Sequence, residues 1–265
     1  MINVFRSLNY YVRKDLAIVV ALITIVSMPV VAMAFMGSLD GLSFSDMTGA
    51  AYYTGMNSDV TIISLIAALL VVTRLVGSDL SDKSVNYEIL GGNKRIAAFL
   101  GRIAAGLLWG GMICWILISL PLGYFSLING WGISVDMKWA LLRQALMFLP
   151  LLRLVSLLIF FTILAGGAGK GMALAVVIIE VEAVIDTLFS EILDIDIKYA
   201  LSMSSFRQVL YLDNAKSMVI DGKQVNVFLA QLPAGLIAGT IIISLLLTIL
   251  YLTGAALIFL RKDRD

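Results

Sequence analysis

Histidine is absent from the 265 residues, cysteine occurs once, and only 14% of positions carry charge. Each shortage removes a class of chemistry. Without histidine there is no Ser-His-Asp triad, no imidazole general base and no His-containing metal site. With Cys114 alone, no intrachain disulfide can form. The net charge of +1 lacks the basic excess of a nucleic-acid binder, so no nucleic-acid partner is expected.

What fills the chain instead is apolar. It is 60% hydrophobic, with a mean hydropathy of +0.99. Soluble domains are close to half apolar and about a quarter charged, so this composition calls for a membrane as solvent. Six apolar runs reach the length of about 20 residues that a membrane-crossing helix needs. They are 16–36, 58–76, 97–128, 139–165, 172–190 and 233–260. Backbone groups in lipid must be satisfied within their own segment, and no run alternates as a barrel strand would, so helices are expected. The expected fold is all-α: one polytopic domain over residues 1–265 with six transmembrane helices. Pro29, Pro121 and Pro150 lie inside runs and predict kinks. Pro233 opens the last run, where its missing N–H costs nothing.

Arg6, Arg13 and Lys14 precede the first run, and Ala32-Met33-Ala34 imitates a signal cleavage site. The run from Leu16 to Met36 is long enough to span and others follow, so a retained first helix is expected. Before it, Val4, Phe5, Leu8, Tyr11 and Val12 recur at helical spacing. Residues 1–15 read either as a helix on the membrane surface or as a charged flank of the first span.

Lys and Arg in the short loops set the orientation. The N-terminus has Arg6, Arg13 and Lys14, while the first loop, 37–57, has none. The second has Lys83, Lys94 and Arg95, the third Lys138, the fourth Lys170, and the tail Arg261, Lys262 and Arg264. This places both termini and the second and fourth loops in the cytoplasm, as for a multi-pass protein of the cytoplasmic membrane. The fifth loop, 191–232, is then an extracellular insertion before the last helix. Within it, Ile195, Tyr199, Phe206, Val209, Leu210 and Leu212 predict an amphipathic helix over 195–212. Asp221-Gly222 between Met218–Ile220 and Val225–Val227 predicts a hairpin.

The second loop, Gly77 to Arg95, is a compact polar segment between two greasy runs. Asp79, Ser81 and Asp82 suit a helix start, and Lys94 and Arg95 suit a last turn. Val85 and Ile89 form an apolar stripe, and Gly91-Gly92-Asn93 is a stop signal. A short helix over about 80–90 follows, able to dock in a partner's groove or to lie on lipid.

This order of residues resembles the ABC type-2 permease family, the membrane subunits of many ATP-binding-cassette exporters. Asp79 takes the acidic place after the second span, Ser84 the small hydroxyl place, Glu88-Ile89-Leu90 the helix body, Gly91-Gly92-Asn93 the break, and Arg95 and Arg102 the basic places. Lys83 stands where the family usually has Gly, and the break carries no Pro. The six-span layout, inside termini and outer insertion resemble the family over nearly the whole chain. The resemblance implies that Asp79, Asp82, Ser84, Glu88, Ile89 and Arg95 belong to a coupling helix that fits an ATPase subunit. It further implies a second permease copy or sister permease, two ATPase subunits carrying ATP and magnesium, and membrane lipid around the assembly. Hydrophobic or amphipathic peptides or drugs, antimicrobial peptides among them, are the implied exported cargo.

Charges inside the spans form the next constellation. Arg153 lies mid-way along the fourth run, with Arg143 nearer its outer end and expected to snorkel. Glu180, Glu182 and Asp186 lie in the fifth. Glu182 and Asp186 share a helix face, Glu180 points elsewhere, and Arg153 matches the first two in depth. A charge at the bilayer centre costs at least about 2.5 kcal/mol, so these groups should face protein or water. They read as part of a translocation path or as charges locking two helices together. The rival reading of the chain is a secondary transporter or intramembrane enzyme built on Arg153, Glu182 and Asp186.

Gly166-Gly167-Ala168-Gly169-Lys170-Gly171 imitates a phosphate loop. Gly171 follows the lysine where Ser or Thr is required, and Leu164 holds the leading glycine place. A tight turn between spans is expected, so no catalytic residue, cofactor or nucleotide site of its own is assigned to this chain. Gly106-x-x-x-Gly110 and Gly235-x-x-x-Gly239 allow close helix packing, expected within the chain.

Overall fold

The computed structural model describes residues 2–39, 47–55, 59–81, 89–193, 201–210, 212, 215–220 and 223–261. Nine helices and one hairpin are defined among them. In chain order they are α1 (Ile2–Lys14), α2 (Leu16–Leu39), α3 (Gly49–Gly55) and α4 (Asp59–Ser81). The helix α5 follows (Arg95–Ile128), continuous through a π-helical stretch at Leu107–Ile113. Then come α6 (Met137–Ala165), α7 (Ala168–Thr187, with a π turn over Leu188–Ile192), α8 (Ser202–Leu210), strands β1 (Ala215–Ile220) and β2 (Lys223–Phe228), and α9 (Ala234–Arg261). Among the described residues the protein is all-α apart from that hairpin.

Among the described residues, α5, α6 and α9 are long and apolar enough to cross a membrane. The shorter apolar stretches Leu16–Met28 and Ile66–Ser78 sit in α2 and α4. Helix α7 covers the fifth run but contains Lys170, Glu180, Glu182 and Asp186. Pro29, Pro121 and Pro150 lie inside α2, α5 and α6. The Pro233 carbonyl accepts from Leu236 N at 3.0 Å and opens α9.

The axis of the bundle is α6. Its most apolar window is 72% buried, against 17% for the same window of α9. Helices α4, α7 and α9 pack on it, while α2 packs on α4 and α5. Lipid tails offer helices no hydrophobic drive to associate, so close approach at small residues has to hold such a bundle. Gly106 and Gly110 serve that end within the chain. A Cβ on Gly106 would meet Ile159 at 3.0 Å and Val76 at 3.3 Å, and one on Gly110 would meet Val72. Gly77 is tighter, with Ala168 backbone 2.6 Å from its would-be Cβ. Gly235 faces open space and packs nothing. Polar side chains add to the seam between α5 and α6: Trp115 Nε1 donates to the Gln144 carbonyl at 2.9 Å and Gln144 Nε2 to Ser119 Oγ at 2.7 Å.

The turn from α6 to α7 is as tight as expected. Gly166 closes α6 in the left-handed region at φ 73°, where an L side chain is strained. Residues 2–14 form a helix of their own, α1, whose apolar side faces the bundle. It buries Val4, Leu8 and Val12 and packs on the start of α5. Phe259 of α9 meets Phe99 of α5 at that same end, with ring centroids 5.3 Å apart.

The opposite end carries a second layer. The loop after α5 holds α3 through Gly49 N to the Gly130 carbonyl (3.0 Å) and Ala50 N to the Trp131 carbonyl (2.7 Å). Helix α3 lies in a loop for which the sequence suggested no element. The hairpin is present as expected, with Ala215 opposite Phe228 and Ile220 opposite Lys223, and Phe228 N donates to the Ser134 carbonyl. Met47, Ala50, Tyr52, Tyr53, Leu122, Phe125, Val135, Ala140, Leu212 and Ala230 make a small separate core there.

Candidate functional site

Three of the charges singled out in the fourth and fifth runs, Arg143, Glu182 and Asp186, converge on α8. This helix is amphipathic, with Phe206 and Val209 fully buried, and it packs on α6 and α7. It spans 202–210 rather than 195–212; residues 194–200 lie outside those described. A helix start leaves backbone N–H groups without partners and carries partial positive charge, and a helix end the reverse. Both needs are met from neighbouring helices. At the start, Glu182 Oε2 accepts from Ser202 N at 2.9 Å and Asp186 Oδ2 from Ser204 Oγ at 2.8 Å. At the end, Arg143 Nη1 donates to the Val209 carbonyl at 3.0 Å.

Arg143 therefore does not snorkel. It is 5% exposed, and its Nε also donates to the Ala230 carbonyl at 2.7 Å. A third, longer contact reaches the Gln231 carbonyl at 3.5 Å. The side chain turns inward to the carbonyl at the end of α8 and to two carbonyls between β2 and α9. In the adjoining layer, burial pushes the Tyr52 and Tyr53 hydroxyls well above the ordinary phenol range, Arg143 opposing the shift at Tyr53.

Arg153 is fully buried mid-way along α6. It is hydrogen-bonded to the Tyr251 hydroxyl of α9 and lies in the field of the Glu182 carboxylate. Side chains of three helices thus lie at similar depth. Measured from the end where α1 lies, Arg153 is about 18 Å in, Glu182 about 21 Å and Tyr251 about 15 Å, at 1.5 Å per residue. Of the two acids that the sequence put at the depth of Arg153, Glu182 lies close enough to act on it electrostatically. Next to them α9 turns a polar face inward: Thr240, Ser244 and Thr248 are buried at four-residue spacing. The Ser244 and Thr248 hydroxyls have no hydrogen-bond partner among the described residues.

Glu180 behaves differently. It is exposed, on a stripe of α7 with Val176, Val177, Val181, Val184 and Leu188, all of them exposed. Glu182 and Asp186 are half-buried on the other side, the division that the helical spacing predicts.

The segment 79–95 is described at its edges. Asp79 falls in the last turn of α4, so that helix runs on through Ser81. Asp82, Ser84 and Glu88 lie outside the described residues. Ile89 is partly buried against the main core, and Leu90 beside it is 82% exposed. The expected break is a turn, with Gly92 N donating to the Ile89 carbonyl at 3.0 Å and Gly92 at φ 93°. Arg95 is exposed in the first turn of α5. Arg102 is 1% exposed, its Nη1 donating to the Ala98 carbonyl.

Sequence reasoning missed Tyr251, the serines Ser202 and Ser204, and the hydroxyl face of α9. The four-residue spacing of Thr240, Ser244 and Thr248 was the available signal for the last of these. Nothing in sequence marked Tyr251, whose role depends on which helix it meets. Compared with protein-family models, curated proteins and solved structures, the chain matches none.

Proposed function

We propose that the chain is the permease subunit of an ATP-binding-cassette exporter, with α2, α4, α5, α6, α7 and α9 as its six spans. Both termini, the segment 82–94 and the turn at 166–167 face the cytoplasm. A second permease completes the path, and two ATPase subunits holding ATP and magnesium bind beneath. ATP-driven closure of those subunits pushes on the segment from Asp79 to Arg95, tilts α4 and α5, and opens a route between the permeases for a hydrophobic or amphipathic peptide or drug.

The observation that carries this reading is the Glu180 stripe of α7. Glu180 sits about 18 Å from the start of its helix, and it is exposed. A carboxylate at that depth is too costly to face acyl chains. The stripe must therefore meet water or another protein, as a path wall or a permease–permease seam does. The packing of α1, the end of α9 and the α6–α7 turn at one end of the bundle supports a shared cytoplasmic side. The rival reading, an intramembrane enzyme or secondary transporter, needs free acids. Glu182 and Asp186 are instead engaged by Ser202 and Ser204.

The test is co-purification of the full chain with an ABC ATPase encoded beside it, followed by Glu88→Ala and Arg95→Ala. Loss of the ATPase from the complex, with the permease still folded, is the expected result. Retained assembly and retained ATP-driven export in both variants would overturn the coupling role.

A further inference from the structure

Between α2 and α5 runs an open groove of about 510 Å³. Its walls are Val19, Leu22, Ile23 and Val26 on one side and Trp109, Ile113 and Leu117 on the other. From Val19 to Ser27 it extends about 12 Å along the helix, at 1.5 Å per residue. That is most of one leaflet's share, about 15 Å, of a 30 Å hydrocarbon core.

The roof of this groove is polar and basic. Trp109, one of its walls, donates its Nε1 hydrogen to Asn9 Oδ1 of α1 at 3.2 Å. Asn9 therefore faces the groove mouth. Arg6 and Arg13 stand three residues before and four after it, which puts all three on one flank of α1. Both arginines are exposed. The opposite flank of α1, with Val4, Leu8 and Val12, is buried in the bundle. A cationic rim thus sits over an apolar slot of acyl-chain length, and the two are joined by the Asn9–Trp109 hydrogen bond.

We infer that this is a site for an anionic phospholipid, its phosphate between Arg6 and Arg13 and one acyl chain along the α2–α5 groove. Charge complementarity selects the headgroup, since each basic side chain at a membrane surface favours an anionic lipid over a zwitterionic one by about fivefold. The inference needs only that α2 and α5 lie in a bilayer, and it stands or falls apart from any export role.

The test uses the full chain reconstituted in phosphatidylcholine vesicles doped with phosphatidylglycerol, either lipid carrying brominated acyl chains that quench tryptophan. The quenching lost on Trp109→Phe reports the groove. Brominated phosphatidylglycerol is expected to quench that component at a concentration lower by about tenfold or more than brominated phosphatidylcholine. The preference should shrink as salt rises, and Arg6→Gln combined with Arg13→Gln should abolish it. Glycerol phosphate, a headgroup without chains, should neither compete nor raise the melting temperature. Equal quenching by both lipids would reduce the groove to ordinary annular contact and overturn the site. Competition by glycerol phosphate would overturn the acyl-chain part. If the double variant fails to fold, the salt dependence in the wild-type chain decides the same question.

Discussion

Each end of the bundle carries a short amphipathic helix, and the two are held in opposite ways. At one end α1 buries Val4, Leu8 and Val12 and joins α2 through the single residue Asp15. Its polar contacts lie at the edge: Asn9 with Trp109, and Asp15 Oδ2 with Arg74 Nε at 3.2 Å, the arginine side chain 51% exposed. At the other end α8 has no such short tether to a long helix. Its start is held by Glu182 and Asp186 and its end by Arg143, groups drawn from α7 and α6. Where connectivity fixes a helix, the closure entropy is small and weak surface contacts suffice. Where connectivity does not, buried charges supply the position.

The contrast breaks most sharply at Arg143. Arg143→Met keeps the bulk and leaves the Val209 and Ala230 carbonyls without their donor. Breaking a buried charged network by removing one member costs about 3–5 kcal/mol. The expected result is a lower melting temperature for the purified protein and faster proteolysis within 201–232. Unchanged proteolysis would mean that α8 is held by its apolar face alone.

A smaller effect is expected one layer down. Tyr251→Phe removes the hydroxyl from Arg153, and a hydrogen bond to a charged group contributes about 1.5–3 kcal/mol. In a double-mutant cycle with Arg153→Leu, a coupling of about 1–2 kcal/mol is expected. Additivity of the two changes would show that the contact between α6 and α9 does not depend on this pair. Asp186→Ala should cost less, about 1 kcal/mol, because it removes one neutral donor's acceptor and a share of the helix-end field. The readout is the same melting temperature, and a loss as large as that of Arg143→Met would erase the graded order.

Which parts of this were legible follows from the range of the signals. Period-3.6 patterning is local, and it marked α1 and α8; the Asp-Gly dipeptide, equally local, marked the pairing of β1 with β2. Shared faces within one helix are local too, which is why Glu182 and Asp186 separated from Glu180 in sequence. Arg143 was misread because its preference for inward carbonyls depends on residues 66 to 88 positions away. Tyr251 and the hydroxyl face of α9 were missed for the same reason. Each of the six apolar runs has a helix along it, and among the described residues α5, α6 and α9 are long and apolar enough to cross a membrane. Helix α7 differs from these in the charge that it carries, Lys170, Glu180, Glu182 and Asp186.

The smallest effect belongs to the tethered end, and pH resolves it. Burial works against ionising Asp15, but the Tyr11 hydroxyl, the Arg74 guanidinium and the amides of Ala17 and Ile18 outweigh it and hold the carboxyl below its ordinary value of 3.8. A carboxyl depressed in the folded state adds stability above its unfolded value and loses it as pH falls through the folded one. Melting temperature should therefore fall on acidification below about pH 4 by an amount that Asp15 helps to set. The exposed Arg74 limits its pair with Asp15 to at most about 1 kcal/mol, weakened by salt. Asp15 also caps α2, with Ala17 N donating to Oδ1 at 2.9 Å. Asp15→Asn keeps a capping oxygen and should lose the acid-dependent part alone, whereas Asp15→Ala should also lose about 1 kcal/mol of cap at neutral pH. If both variants melt alike at neutral pH, the cap contributes nothing and α1 is held to the bundle by its apolar face and its one-residue tether.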